Sequence, residues 1–387
     1  MLPVLLLALL AAPLYWLVVP ARLRRDAATF GSLDALGAVD LRLPILLLVL
    51  ALALQGAGRL LSSGRWPWTL PAGLLLLALL FVWNKLGSAG SGALPSQGGL
   101  VLVGVSYLVL KAAAYLIDAA RRRARESTAR ELLGWLAFLP TYPAGPIEAF
   151  SHFQPQRPSL AGGRLWLGLE RILFGLVKAV VLSQALASWA GPVLREPAAA
   201  PELVRLLAVY ALTLRFYLDF SGYSDLAIGV AAVFGFEVQE NFQSPLVRRN
   251  LVQLWQRWHM TLTAWLRLYL FIPLSRALIR RSSRAWEAPA LVLAQLTTMA
   301  FCGLWHGLGW GFLLWGGLQG IGLAWVGIGA RTVGRRLPPP FRAWWRTSPL
   351  AYGLSTLLTF HYFAFSTLFV VTDVGPALHT LWLLAGA

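Results

Sequence analysis

Apolar runs follow one another along almost the whole of this chain, separated by short arginine clusters rather than by mixed polar loops. They fall near residues 43–54, 70–83, 100–117, 172–187, 203–218, 227–236, 265–274, 288–304, 310–326, 350–371 and 377–387. A helix needs about 20 residues to cross a hydrocarbon core, so several runs are too short for a straight crossing. They imply tilted, broken or re-entrant helices buried against protein around a cavity. With 58% hydrophobic and 13% charged residues, the chain lies outside the soluble globular range and reads as an all-α polytopic membrane protein.

The net charge of +17 excludes nothing by itself, but its distribution does. The basic residues sit between apolar runs, as cytoplasmic loops of a membrane protein place them, and not in the continuous stripe of a nucleic-acid binder. The run at residues 2–20 has no basic residues before it and RLRR after it, the reverse of a cleaved signal peptide. It reads as a first transmembrane helix with its start outside. Residues 88–99 (SAGSGALPSQGG) read as a flexible loop. Arg121, Arg122, Arg123 and Arg125 mark a cytoplasmic helix end. Pro140, Pro143 and Pro146 with Gly145 forbid a continuous helix there, and irregular backbone at membrane depth must be buried or line a polar cavity.

The stretch 240–311 carries the chemistry. His259 and His306 lie in tryptophan-rich apolar sequence (WQRWHM and GLWHG), and an ionisable side chain at membrane depth marks a functional site by default. Gly303, Gly307, Gly309 and Gly311 around His306 imply either close backbone approach or a widened cavity. Burial disfavours imidazolium, so His306 reads as a neutral general base. Cys302, one helical turn earlier, raises a Cys-His pair but reads better as a buried core residue. As the sole cysteine it excludes an internal disulfide and a Cys-based zinc site, and no metal site is expected.

Other polar residues have bland readings. His152, beside Ser151 and Gln154, reads as interfacial. In YLDFSGYSDLAIG, Ser221-Gly222 reads as a helix break, with Ser224 or Asp225 capping the next helix; the alternative makes Asp219 or Asp225 a proton acceptor. Trp255, Trp258 and Trp265 among arginines read as the aromatic belt of an interfacial helix. The three lysines, Lys85, Lys111 and Lys178, lie in or beside apolar runs, where a guanidinium need not fit. Zinc-protease, α/β-hydrolase and nucleotide-binding motifs are absent.

Taken in order, FSGYSDLAIGVAAVFGFEVQENF, WQRWHMTLTAWLRLYLFIPL and GLWHGLGWGFLLWG, preceded by VGVSYLVLKAAAYLID and FLPTYPAGPIEAFSHF, resemble the membrane-bound O-acyltransferase (MBOAT) family over about residues 80–330. The DltB/AlgI-like bacterial branch is the most similar. The family's usual RDY is here Arg267-Leu268-Tyr269, and the Gly-Gly that often follows IPL is Ser275-Arg276.

The resemblance implies a single integral domain over residues 1–387 with short, tilted and re-entrant helices around a central funnel, in a bacterial inner membrane. It implies an acyl group, D-alanyl favoured, carried as a thioester on an acidic phosphopantetheine carrier protein or on coenzyme A, and moved to a hydroxyl of a cell-envelope polymer or lipid. No cofactor is expected to be bound. His306 would be the base and His259 a positioning or oxyanion-stabilising group. Asn241, Trp258, Trp305, Ser221 and Tyr223 would bind substrate. Arg276, Arg280, Arg281 and Arg284 would dock the carrier. The alternatives are acetylation of an exported polysaccharide and, from another class, a transporter, against which the lack of a repeated histidine motif argues.

Overall fold

The computed structural model describes residues 2–64, 66–89, 102–123, 127–159, 162–280, 283, 286–331 and 333–386. The described residues form helices and connecting turns, without strand. Among them, six helices are long and apolar enough to cross a membrane: Arg42–Ser63, Thr69–Gly87, Met260–Arg280, Glu287–His306, Trp310–Gly329 and Pro349–Val371. Most of the loop expected at residues 88–99 lies outside the described residues, as does Arg125; Ser88 and Ala89 close the helix Thr69–Ala89.

Helix lengths correct the expectation of many short spans. The runs at residues 43–54, 70–83 and 265–274 are the apolar centres of longer helices, because helices continue through ends bearing Arg, Gly, Ser or first-turn Pro. The helix Leu2–Ala8 is interrupted by a 3-10 turn at Leu9–Ala11 before Ala12–Val18, and Val374–Leu384 is short as expected.

Two compact units divide the chain: Met1–Val177 with Gly222–Glu240, and Lys178–Ser221 with Asn241–Ala387. In the first, Trp135 packs edge-on against Phe150, with Tyr115 beside both. The proline-rich stretch after Leu139–Thr141 is irregular and largely buried, and hydrogen bonds tie it to its surroundings. Lys111 Nζ donates to Thr141 Oγ1 (3.2 Å) and Trp135 O (3.4 Å), and Trp135 Nε1 donates to Glu148 O (2.9 Å). Of the three lysines, Lys111 is the fully buried one. His152 is no bare interfacial residue: its Nδ1 pairs with the buried Glu148 carboxylate, whose other oxygen accepts from Gln239 N at 3.2 Å.

No break occurs at Ser221-Gly222. Glu202–Val233 is one helix, and Asp225 is an ion-pair partner instead of a cap. Gly222 serves close packing: a Cβ on Gly175 would sit 2.7 Å from the Gly222 carbonyl oxygen, so two backbones meet where the sequence suggested a turn. Arg171 binds Asp225 and Glu240 together.

The second unit is built around a helical hairpin, Glu287–His306 and Trp310–Arg331, joined by residues 307–309. A Cβ on Gly303 would collide with the Phe312 backbone carbonyl, and one on Gly316 with that of Met299. Of the two readings of the glycines near His306, close backbone approach is therefore the one realised. Buried Gln319 ties the hairpin to its neighbours, accepting from Trp255 Nε1 (2.9 Å) and donating to Ser366 Oγ (2.7 Å). Trp255 and Trp258 are thus core residues and not an aromatic belt. Trp255 ends, and Trp258 follows, a short helix, Leu251–Trp255, capped by Asn250. The span Met260–Arg280 carries a π-helical turn at Leu266–Phe271, which includes Arg267-Leu268-Tyr269.

Candidate functional site

Asn241 organises the buried end of the site. Its backbone carbonyl accepts from Met260 N at 2.9 Å, and its side-chain oxygen accepts from Thr261 Oγ1 (2.9 Å) and Thr261 N (3.3 Å). His259 Nδ1 lies 3.0 Å from that same oxygen. A backbone N–H can only donate, so the Asn241 atom is the carbonyl oxygen and His259 Nδ1 must carry the proton. The neutral ring then keeps its lone pair on Nε2.

His259 precedes the helix Met260–Trp265 with φ 42° and ψ 55°, the left-handed region. For a residue other than glycine this costs on the order of 1–3 kcal/mol and persists only where the surroundings over-determine it. Here the Asn241 bonds to His259 and to the two residues after it do so.

Aromatic rings enclose both histidines. Phe220 meets His259 edge to face at 4.7 Å, and Trp305 lies 6.4 Å from His259 and 4.7 Å from His306. Trp315 covers His306 from the other helix of the hairpin, at 5.4 Å and 83°. His306 ends its helix and remains half-buried, while His259 is buried. The imidazoles are near enough to interact electrostatically. Cys302 is fully buried one turn before His306.

The expected site residues thus divide. His259, His306, Asn241 and Trp305 come together. Trp258 packs beneath them against Phe216, Phe242 and Phe363. Ser221 is buried beside Phe220, and its hydroxyl has no hydrogen-bond partner among the described residues. Tyr223 belongs to the first unit, where its ring lies by Gly145 and its buried hydroxyl likewise lacks a described partner. Arg276 and Arg280 are exposed at the end of the span Met260–Arg280; Arg281 and Arg284 lie outside the described residues.

Sequence reasoning missed Thr261, Phe220 and Trp315. Thr261 had a signal, a hydroxyl two residues from His259. Trp315 had none, because nothing in GFLLWGG distinguishes a site indole from a core one. Its Nε1 is buried with no hydrogen-bond partner among the described residues, which is costly for an indole unless a substrate group meets it.

Membrane-spanning helices that hold two histidines among aromatic rings define a polytopic membrane protein with a polar site inside an apolar shell. Residues 64–372 match the model of MBOAT, the membrane-bound O-acyltransferase family, and the chain belongs to that family. Among curated relatives, it is 30% identical to the teichoic acid D-alanyltransferase of Streptococcus thermophilus over 67% of this chain and 64% of that protein. It is 33% identical to the probable alginate O-acetylase AlgI of Azotobacter vinelandii over 58% of this chain and 44% of that protein. It is 32% identical to the peptidoglycan O-acetyltransferase of Helicobacter pylori over 49% of this chain and 36% of that protein. The alignments therefore span less than two thirds of each relative's own length.

Proposed function

We propose that this chain is an O-acyltransferase that moves an acyl group, D-alanyl favoured, from a cytoplasmic thioester to a hydroxyl of a cell-envelope polymer or lipid. The observation that carries the proposal is the cluster Asn241–His259–Trp305–His306, a polar pair that an apolar shell would not otherwise retain. His306 removes the hydroxyl proton as the oxygen attacks the thioester carbonyl. The new C–O bond forms, the C–S bond breaks, and the departing thiolate takes the proton back from His306.

The tautomer assigns His259 a narrower task. With Nδ1 donating to Asn241, its Nε2 accepts, which suits holding the acceptor hydroxyl better than stabilising an oxyanion. The Trp315 indole N–H, beside His306, is the better oxyanion donor. The exposed Arg276 and Arg280, with Arg281 and Arg284 after them in sequence, form a basic segment suited to an acidic carrier protein; coenzyme A is the other donor of the same chemistry. No cofactor is required for this transfer.

Acetylation of an exported polysaccharide is the second reading, supported by the alignment to the alginate O-acetylases. The alignment to the D-alanyltransferase, which covers a larger share of both proteins, supports the first. The test is acyl transfer by the purified, bilayer-reconstituted chain from D-alanyl-carrier and from acetyl donors. His306→Ala should abolish transfer at unchanged insertion, and Cys302→Ala should leave most of it. An acyl group trapped on Cys302 would overturn direct transfer.

A further inference from the structure

A groove of about 1160 Å³ lies in the second unit, lined by none of the residues of the histidine cluster, and the acyl-transfer reading leaves it unused. Its walls are the second half of Trp310–Arg331, the middle turns of Pro349–Val371 and residues 249–253, and the helix Pro339–Thr347 also lines it. Its size exceeds the ~300–1,000 Å³ usual for small-molecule sites.

The polar end carries three guanidinium groups, Arg249, Arg342 and Arg346. Arg249 is committed to structure: it donates to the carbonyls of Arg346 (3.1 Å) and Trp345 and lies 5.5 Å over the Tyr352 ring. It thereby fastens the C-terminal end of Pro339–Thr347 over the groove. Arg342 and Arg346 remain for a ligand. No aspartate or glutamate occurs at residues 241–286 or 288–372, which include every lining segment. The site is therefore cationic without a counter-charge from its own walls.

The apolar end decides the occupant. Ile321, Trp325 and Leu358 line the groove yet are 56%, 73% and 67% exposed on membrane-spanning helices. Their surroundings are acyl chains, so the groove opens sideways to lipid. A water-soluble anion or carrier arm has no use for such a wall, whereas a phosphate with attached acyl chains matches both ends. The helix Pro339–Thr347, with Phe341, Trp344 and Trp345 exposed beside its arginines, has the composition of an interfacial helix.

We propose that this groove binds an anionic phospholipid of the arginine-rich, cytoplasmic leaflet, with the phosphate on Arg342 and Arg346 and an acyl chain along Ile321, Trp325 and Leu358. The lipid bridges Pro339–Thr347 to the two spans on either side of it and so stabilises the hairpin that carries His306. The proposal holds whatever acyl group the enzyme moves.

The test measures lipid binding to the full chain in detergent by native mass spectrometry, and thermal unfolding with each lipid added. Phosphatidylglycerol should bind with a stoichiometry of about one and raise the unfolding temperature; phosphatidylcholine and inorganic phosphate should do neither. Arg342→Gln with Arg346→Gln should weaken phosphatidylglycerol about thirtyfold, and Arg276→Gln with Arg280→Gln should leave it unchanged. Equal binding of phosphatidylcholine, or unchanged binding in the Arg342/Arg346 variant, overturns the proposal. Displacement of the lipid by phosphopantetheine or coenzyme A also overturns it and assigns the groove to the donor. Transfer activity is not part of this readout, so failure of the acyl-transfer reading would show separately.

Discussion

Replacing Asn241 by alanine removes one oxygen that accepts three hydrogen bonds, from His259 Nδ1, Thr261 N and Thr261 Oγ1. Such bonds contribute about 0.5–1.5 kcal/mol each in folded proteins, and about 0.6 on average within membranes. Three together give roughly 2–4 kcal/mol. Against this stands the left-handed conformation of His259, which costs on the order of 1–3 kcal/mol and is held by the same bonds. Once they are gone, with only the backbone bond from Met260 N to the Asn241 carbonyl left, the backbone recovers part of that strain, so the net loss of stability should be about 1–2 kcal/mol. Activity should fall much further, by about a hundredfold or more, the equivalent of ~2.7 kcal/mol of barrier, because the imidazole loses both tautomer and position.

Thermal unfolding of the detergent-purified variant and steady-state transfer from a thioester donor measure the two quantities. As a positioning residue, Asn241 should act on kcat with donor KM little changed, and Asn241→Asp, which keeps an acceptor, should restore part of the rate. Activity that falls only in step with the folded fraction, with no rescue by aspartate, would make Asn241 a merely structural residue and refute the reasoning.

Gly303→Ala places a methyl against the Phe312 carbonyl and should cost about 1–3 kcal/mol or more with loss of transfer, whereas Gly317→Ala, where nothing lies within 4 Å of the added atom, should be silent in the same unfolding and activity assays. The hydrogen bond that His152 donates to Glu148 outweighs partial burial and raises the His152 pKa above its ordinary value of 6.5. The folded state therefore holds this proton more tightly, and the pair contributes fully below about pH 6.5 and loses its contribution as pH rises through the raised value. His152→Ala should accordingly flatten the stability profile on that side, which unfolding across pH 5–9 would show; a parallel profile would count against the pair.

Much of the candidate cluster was legible because the bilayer makes polarity conspicuous. His259 and His306 stand out in apolar, tryptophan-rich sequence, and Asn241 opens a stretch that must turn inward. The geometry between them was not legible. A left-handed conformation announces itself when glycine or asparagine occupies it, and here histidine does, held by tertiary bonds. The aromatic belt failed for a related reason. Tryptophan beside arginine has the same composition at an interface and in a core, and the difference at Trp255 is the acceptor Gln319, sixty-four residues away. Ser221-Gly222 was misjudged because glycine breaks an isolated helix but lets two packed helices touch.

The glycines around His306 show how fold and chemistry are joined. In the proposed mechanism the base must meet a thioester and a hydroxyl within a few tenths of an ångström and needs a rigid support, yet His306 ends a helix, where fraying is easiest. Gly303 and Gly316 let the hairpin's two backbones touch, and Gly311 packs against the Phe369 carbonyl in the next span. Each substitution by a larger residue would wedge the helices apart. With the backbones locked, Trp305 and Trp315 fix the ring from two sides. The Trp315 N–H has no acceptor among the described residues, which suits the role proposed for it, meeting charge that develops only during the reaction.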